Sequence, residues 1–338
     1  MGINQKPRIT VLGAGMWGTV LAEQFWAASR GKTRVSVWEF DPHKAALIAS
    51  SRRHPHLAGL RLDPDVTVTS DLRQAIDGAD VILFALPSTA VRTTARAIKS
   101  IIPRSRPYVI NASKGIDHGT LKTMGQVIES ELPNARAVYT LSGPSFAREV
   151  ARGVKTKLAL AGPSGPDAER LRRLLNGGVL RVDWTPDRVG VEVGGSLKNV
   201  LAIACGILDG LGSGANTKAA LIIQGIQEMA AIVRALGGKP ETIYGVAGLG
   251  DLVLSGTSLE SRNRALGEKL AGGRRVSQAQ REIPTIVEGI EAVKSARRLA
   301  RSLKLKLPLL SAIWDVVHGG KRPERVLAAL GFKDINHG

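Results

Sequence analysis

"RITVLGAGMWG", from Arg8 to Gly18, decides how this chain is read. It opens as an apolar, β-branched run and then places Gly13, Gly15 and Gly18 in G-x-G-x-x-G register. A strand that ends in such a turn and passes into a helix suits the pyrophosphate of a dinucleotide. The first glycine makes the turn, the second lets a phosphate approach the backbone, and the third lets helix and strand pack closely. Amide groups at the helix start then face the anion.

The alternation continues outward from this stretch. "RVSVWEF" (Arg34 to Phe40), "VTVT" (Val66 to Thr69), "DVILFALP" (Asp80 to Pro87), "YVINAS" (Tyr108 to Ser113) and "AVYTLSG" (Ala137 to Gly143) read as further strands. "KTKLALAG" and "VLRVDW" add two more. Most intervening segments read as helices, such as "SDLRQAID" with Ser70 as its N-cap. Near-continuous apolar runs between helices predict a mostly parallel sheet covered on both faces. Past Pro186 the pattern changes to Ala, Leu, Gly and charges at helical spacing. "NTKAALIIQGIQEMAAIVRALGG" predicts a helix capped by Asn216, with a stripe of Ala220, Ile223, Ile226, Ala230 and Val233, stopped at Gly237-Gly238. "EGIEAVKSARRLARSL" and "LPLLSAIWDVVHGG" predict two more. The expected architecture is an α/β doubly wound, Rossmann-type dinucleotide-binding domain over residues 1–186, followed by an all-α substrate domain over residues 187–338.

Composition narrows the function. The chain has 338 residues, 43% of them hydrophobic, enough for two cores. Its net charge is +18, which favours anionic ligands. No basic block dominates, and aromatic residues are only 4%, so a nucleic-acid partner is not expected. No run of about 18 apolar residues predicts a membrane span. The start carries neither the apolar run of a secretory signal nor the Ser or Thr of a myristoylation pattern. One cysteine, Cys205, excludes an intramolecular disulfide framework and suits a reducing cytoplasm. His43, His54, His56, His118, His318 and His337 are scattered, so no metal is expected.

Strand two ends in Trp38-Glu39-Phe40-Asp41. A carboxylate there suits a ribose 2′-hydroxyl and repels a 2′-phosphate, so either Glu39 or Asp41 favours NAD(H) over NADP(H). Lys44, Arg52 and Arg53 pull the other way. A second oddity is "GGSLKNVLAIAC" (Gly194 to Cys205), where a lysine interrupts an apolar run. Lys198 lies at helical spacing from Gly194, Gly195, Ala202 and Cys205, a small face that a ligand or another backbone can approach. The alternative is a lysine that snorkels to solvent. Asp251, after "GVAGLG", is either a carboxylate projecting into a cleft or a helix N-cap.

Several ordered motifs together resemble the soluble bacterial type of NAD(P)-dependent glycerol-3-phosphate dehydrogenase. They are "GAGMWGT", "ALPS" (Ala85 to Ser88), "SKGI" (Ser113 to Ile116), "LSGPSFAREVA", "GVEVGGSLKNVLAIACGILDGLGSGANTKAAL", "GLGDL" (Gly248 to Leu252), "SRNR" (Ser261 to Arg264) and "VEG" (Val287 to Gly289). The resemblance implies reduction of dihydroxyacetone phosphate to sn-glycerol 3-phosphate with NAD(P)H, feeding phospholipid synthesis, with hydride transfer where the two domains meet. It implies catalysis by Lys198, Lys114 and Asp251. Cofactor contacts fall on Gly13, Gly15, Met16, Trp17, Gly18, Phe40, Lys114, Ala147, Arg262, Ile286 and Glu288. Substrate contacts fall on Lys114, Gly143, Ser145, Lys198, Asn199, Asp251, Ser261, Arg262 and Asn263, with Arg262 and Asn263 at the phosphate. The expected partner is a small phosphorylated substrate, and a homodimer is the candidate assembly.

Three departures stand out. Phe40 occupies the place of an arginine suited to a 2′-phosphate, as in NAD-using eukaryotic members. Met16 replaces a small polar residue. A family loop of the form KYLPG is represented only by "RHPHLAGL" (Arg53 to Leu60). The competing readings are a related dehydrogenase acting on another 2-hydroxy compound and a cofactor-sensing protein without turnover. "SRNR" with "GLGDL" separates the first competitor, and a Lys198–Asp251 pair weighs against the second.

Overall fold

The computed structural model describes residues 6–102, 106–283 and 286–332; His337 lies outside them. The chain divides into two compact units, residues 1–114 with 124–188, and residues 115–123 with 189–338. The sequence reading had assigned the segment 115–123 to the first domain.

The first unit is built on an eight-stranded sheet. Its strands are β1 (Arg8–Leu12), β2 (Arg34–Trp38), β3 (Thr67–Thr69), β4 (Val81–Phe84), β5 (Tyr108–Asn111), β6 (Ala137–Ser142), β7 (Thr156–Ala161) and β8 (Leu180–Thr185). Seven fall within the runs read from sequence, and β8 runs one residue past its run, to Thr185. The order is β3-β2-β1-β4-β5-β6-β7-β8, parallel except where β7 runs against β6. The first six strands keep the dinucleotide-binding order, in which ligands sit beyond the carboxyl ends of the strands. The central strands are buried throughout, as β4 (VILF) and β5 (YVIN) show. Helices cover both faces, each over its own apolar cluster.

The second unit is helical. Its central helix, Arg188–Gly210, is buried from Gly190 to Leu208. That helix is long and apolar enough to cross a membrane, but its apolar window is wholly enclosed by protein. Glycines on it are places of close approach: a Cβ on Gly206 would collide with the Arg264 carbonyl, and one on Gly194 would lie 2.9 Å from the Ala247 oxygen. The small face of this helix thus meets the backbones of Val246–Gly250 and Arg262–Ala271.

Local details differ from the sequence reading. The helix Leu72–Ile76 is capped by Asp71, whose carboxylate accepts from the amides of Arg73 and Gln74; Ser70 stands one place too early. The helix Gly214–Ala235 begins after Ser213, which puts Asn216 inside its first turn instead of at the cap. Its buried side is Leu221, Gly225, Ile226, Met229, Ala230, Ile232 and Val233, while Ile223 is 60% exposed. Packing on two sides rotated the face away from the simple stripe.

One buried carboxylate joins two of these helices. Glu228 accepts from the amides of Leu309 and Leu310 at 2.8 and 2.9 Å, satisfying free N–H groups at the start of Pro308–Val317. Burial raises its pKa, against the lowering by those amides. Glu228→Ala should cost about 2 kcal/mol in urea unfolding. Because the folded pKa lies above the ordinary value of 4.5, the proton-linked part of this stability is complete below that value and is lost as pH rises through the folded pKa. The gap between wild type and variant should therefore narrow with rising pH.

Candidate active site

The first unit gathers its candidate residues at the carboxyl ends of the strands. β1 leads into Gly13, whose φ of 109° excludes most side chains and whose Cβ would lie 2.6 Å from the Ala85 oxygen. Its amide bonds the Trp38 carbonyl at 2.9 Å, tying the turn to the end of β2. A Cβ on Gly18 would strike the Gly13 carbonyl, so helix α1 (Met16–Ala28) can approach only with glycine there. Gly15 differs: a Cβ there would meet nothing within 4 Å. It is the N-cap of α1, and no side chain caps the helix. Tight glycines flank an open one, and bare helical amides follow, which is what the pyrophosphate of a dinucleotide requires. Met16 and Trp17 are half-buried on the first turn.

At the end of β2 the two candidate carboxylates are both engaged. Asp41 caps the helix Pro42–Ser51 through the amides of His43 and Lys44. Glu39 is buried and pairs with Lys44 at 2.8 Å. Phe40 is 81% exposed and edge-on to Trp38. Just past the ends of β5 and β6, Lys114 Nζ donates to the Gly143 carbonyl at 3.4 Å, and Ser145 Oγ donates to the same oxygen at 3.1 Å. Ser113 steadies this end of the sheet, its hydroxyl accepting from the Leu86 amide. Lys114, Gly143 and Ser145 are thus brought together, and Ala147 opens the short helix that follows.

The second unit holds the remaining residues in two adjoining groups. Lys198 is 7% exposed, and its Nζ lies 2.8 Å from Asp251 Oδ1 and 2.6 Å from Ser255 Oγ. Asp251 and Ser255 are each 1% exposed. Asp251 sits in the first turn of Asp251–Thr257 behind Gly250, so its carboxylate serves the lysine and does not cap the helix. Lys198 does not snorkel. Ser255 was missed in the sequence; the signal was its place one helical turn after Asp251 in "DLVLS".

In the second group, Asn263 Nδ2 donates to Asn199 Oδ1 at 2.9 Å, and Asn263 Oδ1 accepts from the Gly289 amide at 2.9 Å. Asn199 reaches Glu288 at 3.4 Å, and Arg262 Nη1 donates to the Ile286 carbonyl at 2.9 Å. Ser261 caps the helix Arg262–Ala271. The two arginines of "SRNR" part company. Arg264 is buried against Asp209 at 2.6 Å and Glu268 at 2.8 Å, while Arg262 lies on the exposed side. Of the two guanidinium groups, that of Arg262 is the one left on the surface.

Other reactive side chains are structural. Burial pushes the Cys205 thiol up to about 12, and Gly256 packs over it. Burial, then Lys44, draws His54 down to about 4. Among the described residues no three metal-ligating side chains cluster.

The fold and the glycine turn are those of a nicotinamide-dependent dehydrogenase, with a second, helical unit beside the dinucleotide-binding one in sequence. Family models described as the N-terminus and the C-terminus of NAD-dependent glycerol-3-phosphate dehydrogenase match residues 8–165 and 187–328. The chain is 40% identical over 333 residues to the glycerol-3-phosphate dehydrogenase (NAD(P)+) of Moorella thermoacetica, covering 98% of each. It is 40% identical over 330 residues to that of Anaeromyxobacter sp. strain K, covering 97% of this chain and 98% of the relative. The crystal structure of glycerol-3-phosphate dehydrogenase from Coxiella burnetii superposes with a TM-score of 0.90 at 33% identity, covering 97% of this chain and 99% of that one. The chain belongs to the NAD-dependent glycerol-3-phosphate dehydrogenase family.

The last two glycines of the turn give a direct contrast. Gly15→Ala should leave thermal stability within about 0.5 kcal/mol yet weaken NADH binding measured by fluorescence titration. Gly18→Ala should cost more than about 2 kcal/mol, because neither backbone segment can yield without opening the turn.

Proposed function

We propose that this chain reduces dihydroxyacetone phosphate to sn-glycerol 3-phosphate with NADH or NADPH, reversibly, as its relatives' name indicates. The observation that carries the reading is the buried Lys198–Asp251–Ser255 group. A buried ammonium with a carboxylate and a hydroxyl on fixed helices is oriented, and it is sheltered from bulk water. The first unit holds the dinucleotide at Gly13, Gly15 and Gly18, with Met16, Trp17, Phe40, Lys114 and Ala147 as further contacts. Arg262, Ile286 and Glu288 supply cofactor contacts from the second unit.

The dinucleotide, when bound, supplies the hydride that reaches the carbonyl carbon. Lys198 gives a proton to the carbonyl oxygen during reduction and takes it back during oxidation, so one proton and one hydride account for the new alcohol. Asp251 holds the ammonium by charge, and Ser255 Oγ fixes its remaining direction. Lys114 stabilises the developing oxyanion, with Gly143 and Ser145 lining its side of the substrate. Arg262 takes the phosphate, a dianion that a guanidinium grips by two parallel hydrogen bonds. Asn263 and Asn199 complete that end with Ser261. The product is the glycerol phosphate backbone used in phospholipid synthesis. The single buried Cys205 supports a cytoplasmic place, and the assembly is a homodimer.

NADH and NADPH oxidation followed with dihydroxyacetone phosphate tests this reading; no turnover with either cofactor sinks it. Lys198→Ala should lower kcat by roughly 10²–10⁴-fold with cofactor affinity largely retained. Near-normal turnover would remove Lys198 from its role.

The cofactor preference proposed is for NAD(H). Glu39 is buried, and no arginine stands at position 40, where Phe40 projects. Phe40→Arg should raise kcat/KM for NADPH relative to NADH by about tenfold, the worth of one charge-assisted hydrogen bond. An unchanged ratio would show that the preference is set elsewhere.

A further inference from the structure

The segment Gly115–Thr123 directly follows Lys114 and is built into the helical unit. Ile116 is buried in that unit's core and bridges to Thr123 across the segment. The Ile116 carbonyl accepts the hydroxyl proton of Ser295 at 2.8 Å. Ser295 is 2% exposed, and a serine has only one proton to give. Its oxygen also lies 3.1 Å from His118 Nδ1, and while the serine proton stays on Ile116 that contact is completed by a proton on Nδ1. The other ring nitrogen, Nε2, lies 2.9 Å from Glu291 Oε2. Burial pushes the Glu291 pKa up, but Lys294 at 2.7 Å and His118 outweigh it and hold the carboxyl below its ordinary range. Glu291 is therefore ionised and can only accept. An imidazolium is the form of His118 that donates to Ser295 and Glu291 together while Ser295 keeps its bond to Ile116.

Other charged groups stand around the ring. Lys294 and Arg298 share the helix Glu288–Ser302 with Glu291, and Arg298 Nη1 donates to the His118 carbonyl. His318, at the end of Pro308–Val317, bonds the Ile290 carbonyl and feels the charges of Lys294 and Glu291. Within the segment, Asp117 is engaged by the amide and hydroxyl of Thr120. Glu291 is the carboxylate in contact with the ring.

We propose that His118 is a proton-dependent clamp: as an imidazolium bridging Ser295 and Glu291 it positions the backbone that follows Lys114, and loss of its proton loosens that backbone. A neutral ring protonated at Nδ1 keeps Ser295 but turns a lone pair toward Glu291. A neutral ring protonated at Nε2 keeps Glu291 but makes Ser295 choose between His118 and the Ile116 carbonyl. Either way one contact is lost. Thr123 Oγ1 still donates to Glu192 at 2.6 Å and Arg298 still holds the His118 carbonyl, so the segment loosens without detaching. The effect on turnover rests on the role given to Lys114 above; the clamp itself does not. His118 acts through another residue and is a positioning residue.

The test follows two observables together on the full chain, over about pH 5–9. Ring ¹⁵N resonances report the His118 proton, and amide hydrogen exchange reports residues 115–123. Corrected for intrinsic exchange chemistry, exchange in that segment should accelerate roughly tenfold in step with proton loss from the ring. His118→Gln should exchange quickly at every pH, and Glu291→Gln should weaken the pH dependence. A ring that is neutral throughout, or exchange indifferent to its proton, overturns the clamp. In turnover, the KM of wild type should show an ionisation that His118→Gln lacks. If exchange follows the ring but the two KM profiles coincide, coupling to Lys114 is overturned. A failed Lys114 role would show separately, as Lys114→Ala retaining full turnover.

Discussion

The charge on Lys198 is the constraint around which the helical unit is organised. The lysine sits on a helix whose neighbours on every side are buried, where an unpaired ammonium would cost several kcal/mol. Asp251 and Ser255 meet it from one short helix, and that helix can stand there only because Gly194 lets the Val246–Gly250 backbone come within contact. The same logic continues along the Arg188–Gly210 helix. Gly206 admits the backbone of Arg264, which places Arg262 and Asn263 at the start of their own helix, beside Asn199. A run of small residues therefore sets the distance between Lys198, the proposed acid–base group, and the residues proposed to hold the phosphate. Apolar residues of similar volume would usually be at least as stable as such a pair, so stability alone does not account for it, and the proposed proton transfer does.

The first unit solves a different problem with the same residue type. There the ligand is charged and the protein offers no side-chain cation at the glycine turn. The attraction comes from backbone amides at the start of α1, and backbone groups reach a ligand only where no Cβ intervenes. Gly13 and Gly18 shape the turn, and Gly15 leaves the approach clear. Since the amides carry no sequence preference, selectivity between the two dinucleotides falls on the end of β2. Asp41 is spent on a helix cap and Glu39 on Lys44, which leaves the aromatic face of Phe40 as the exposed feature.

Much of this was legible in the sequence because it depends on local pattern. Eight apolar runs gave eight strands, since a strand buried on both faces must be apolar at every position. The glycine spacing gave the turn. Lys198 was conspicuous because a charge in an apolar helix demands a partner. What was hidden depends on contacts made far along the chain. Ser255 is 57 residues from Lys198, and its one local signal, a place one helical turn after Asp251, does not say that a lysine will meet it. Arg262 and Arg264 look equivalent until Asp209 claims one of them. Helix starts were misjudged by one to three residues, at Ser70 and Asn216, because several residues near each start can cap and only geometry chooses.

The segment Gly115–Thr123 shows the same limit at a larger scale. Its sequence follows directly from a strand of the first unit, and by local pattern it belongs there. It packs with the second because Ile116 finds an apolar core and a serine donor 179 residues away. A loop that leaves one compact unit to be fixed in another has little freedom, and its conformation is dictated by the receiving side. The hydrogen-bond inventory on that side is short of donors: Ser295 has one proton and Glu291 none, so satisfying both together with Ile116 takes two protons from the ring between them. Apolar packing alone would have held the loop equally well at any pH. A histidine with both nitrogens turned to Ser295 and Glu291 is what makes the proposed hold conditional on a proton, and the residue immediately before the loop, Lys114, is the one proposed to meet an oxyanion.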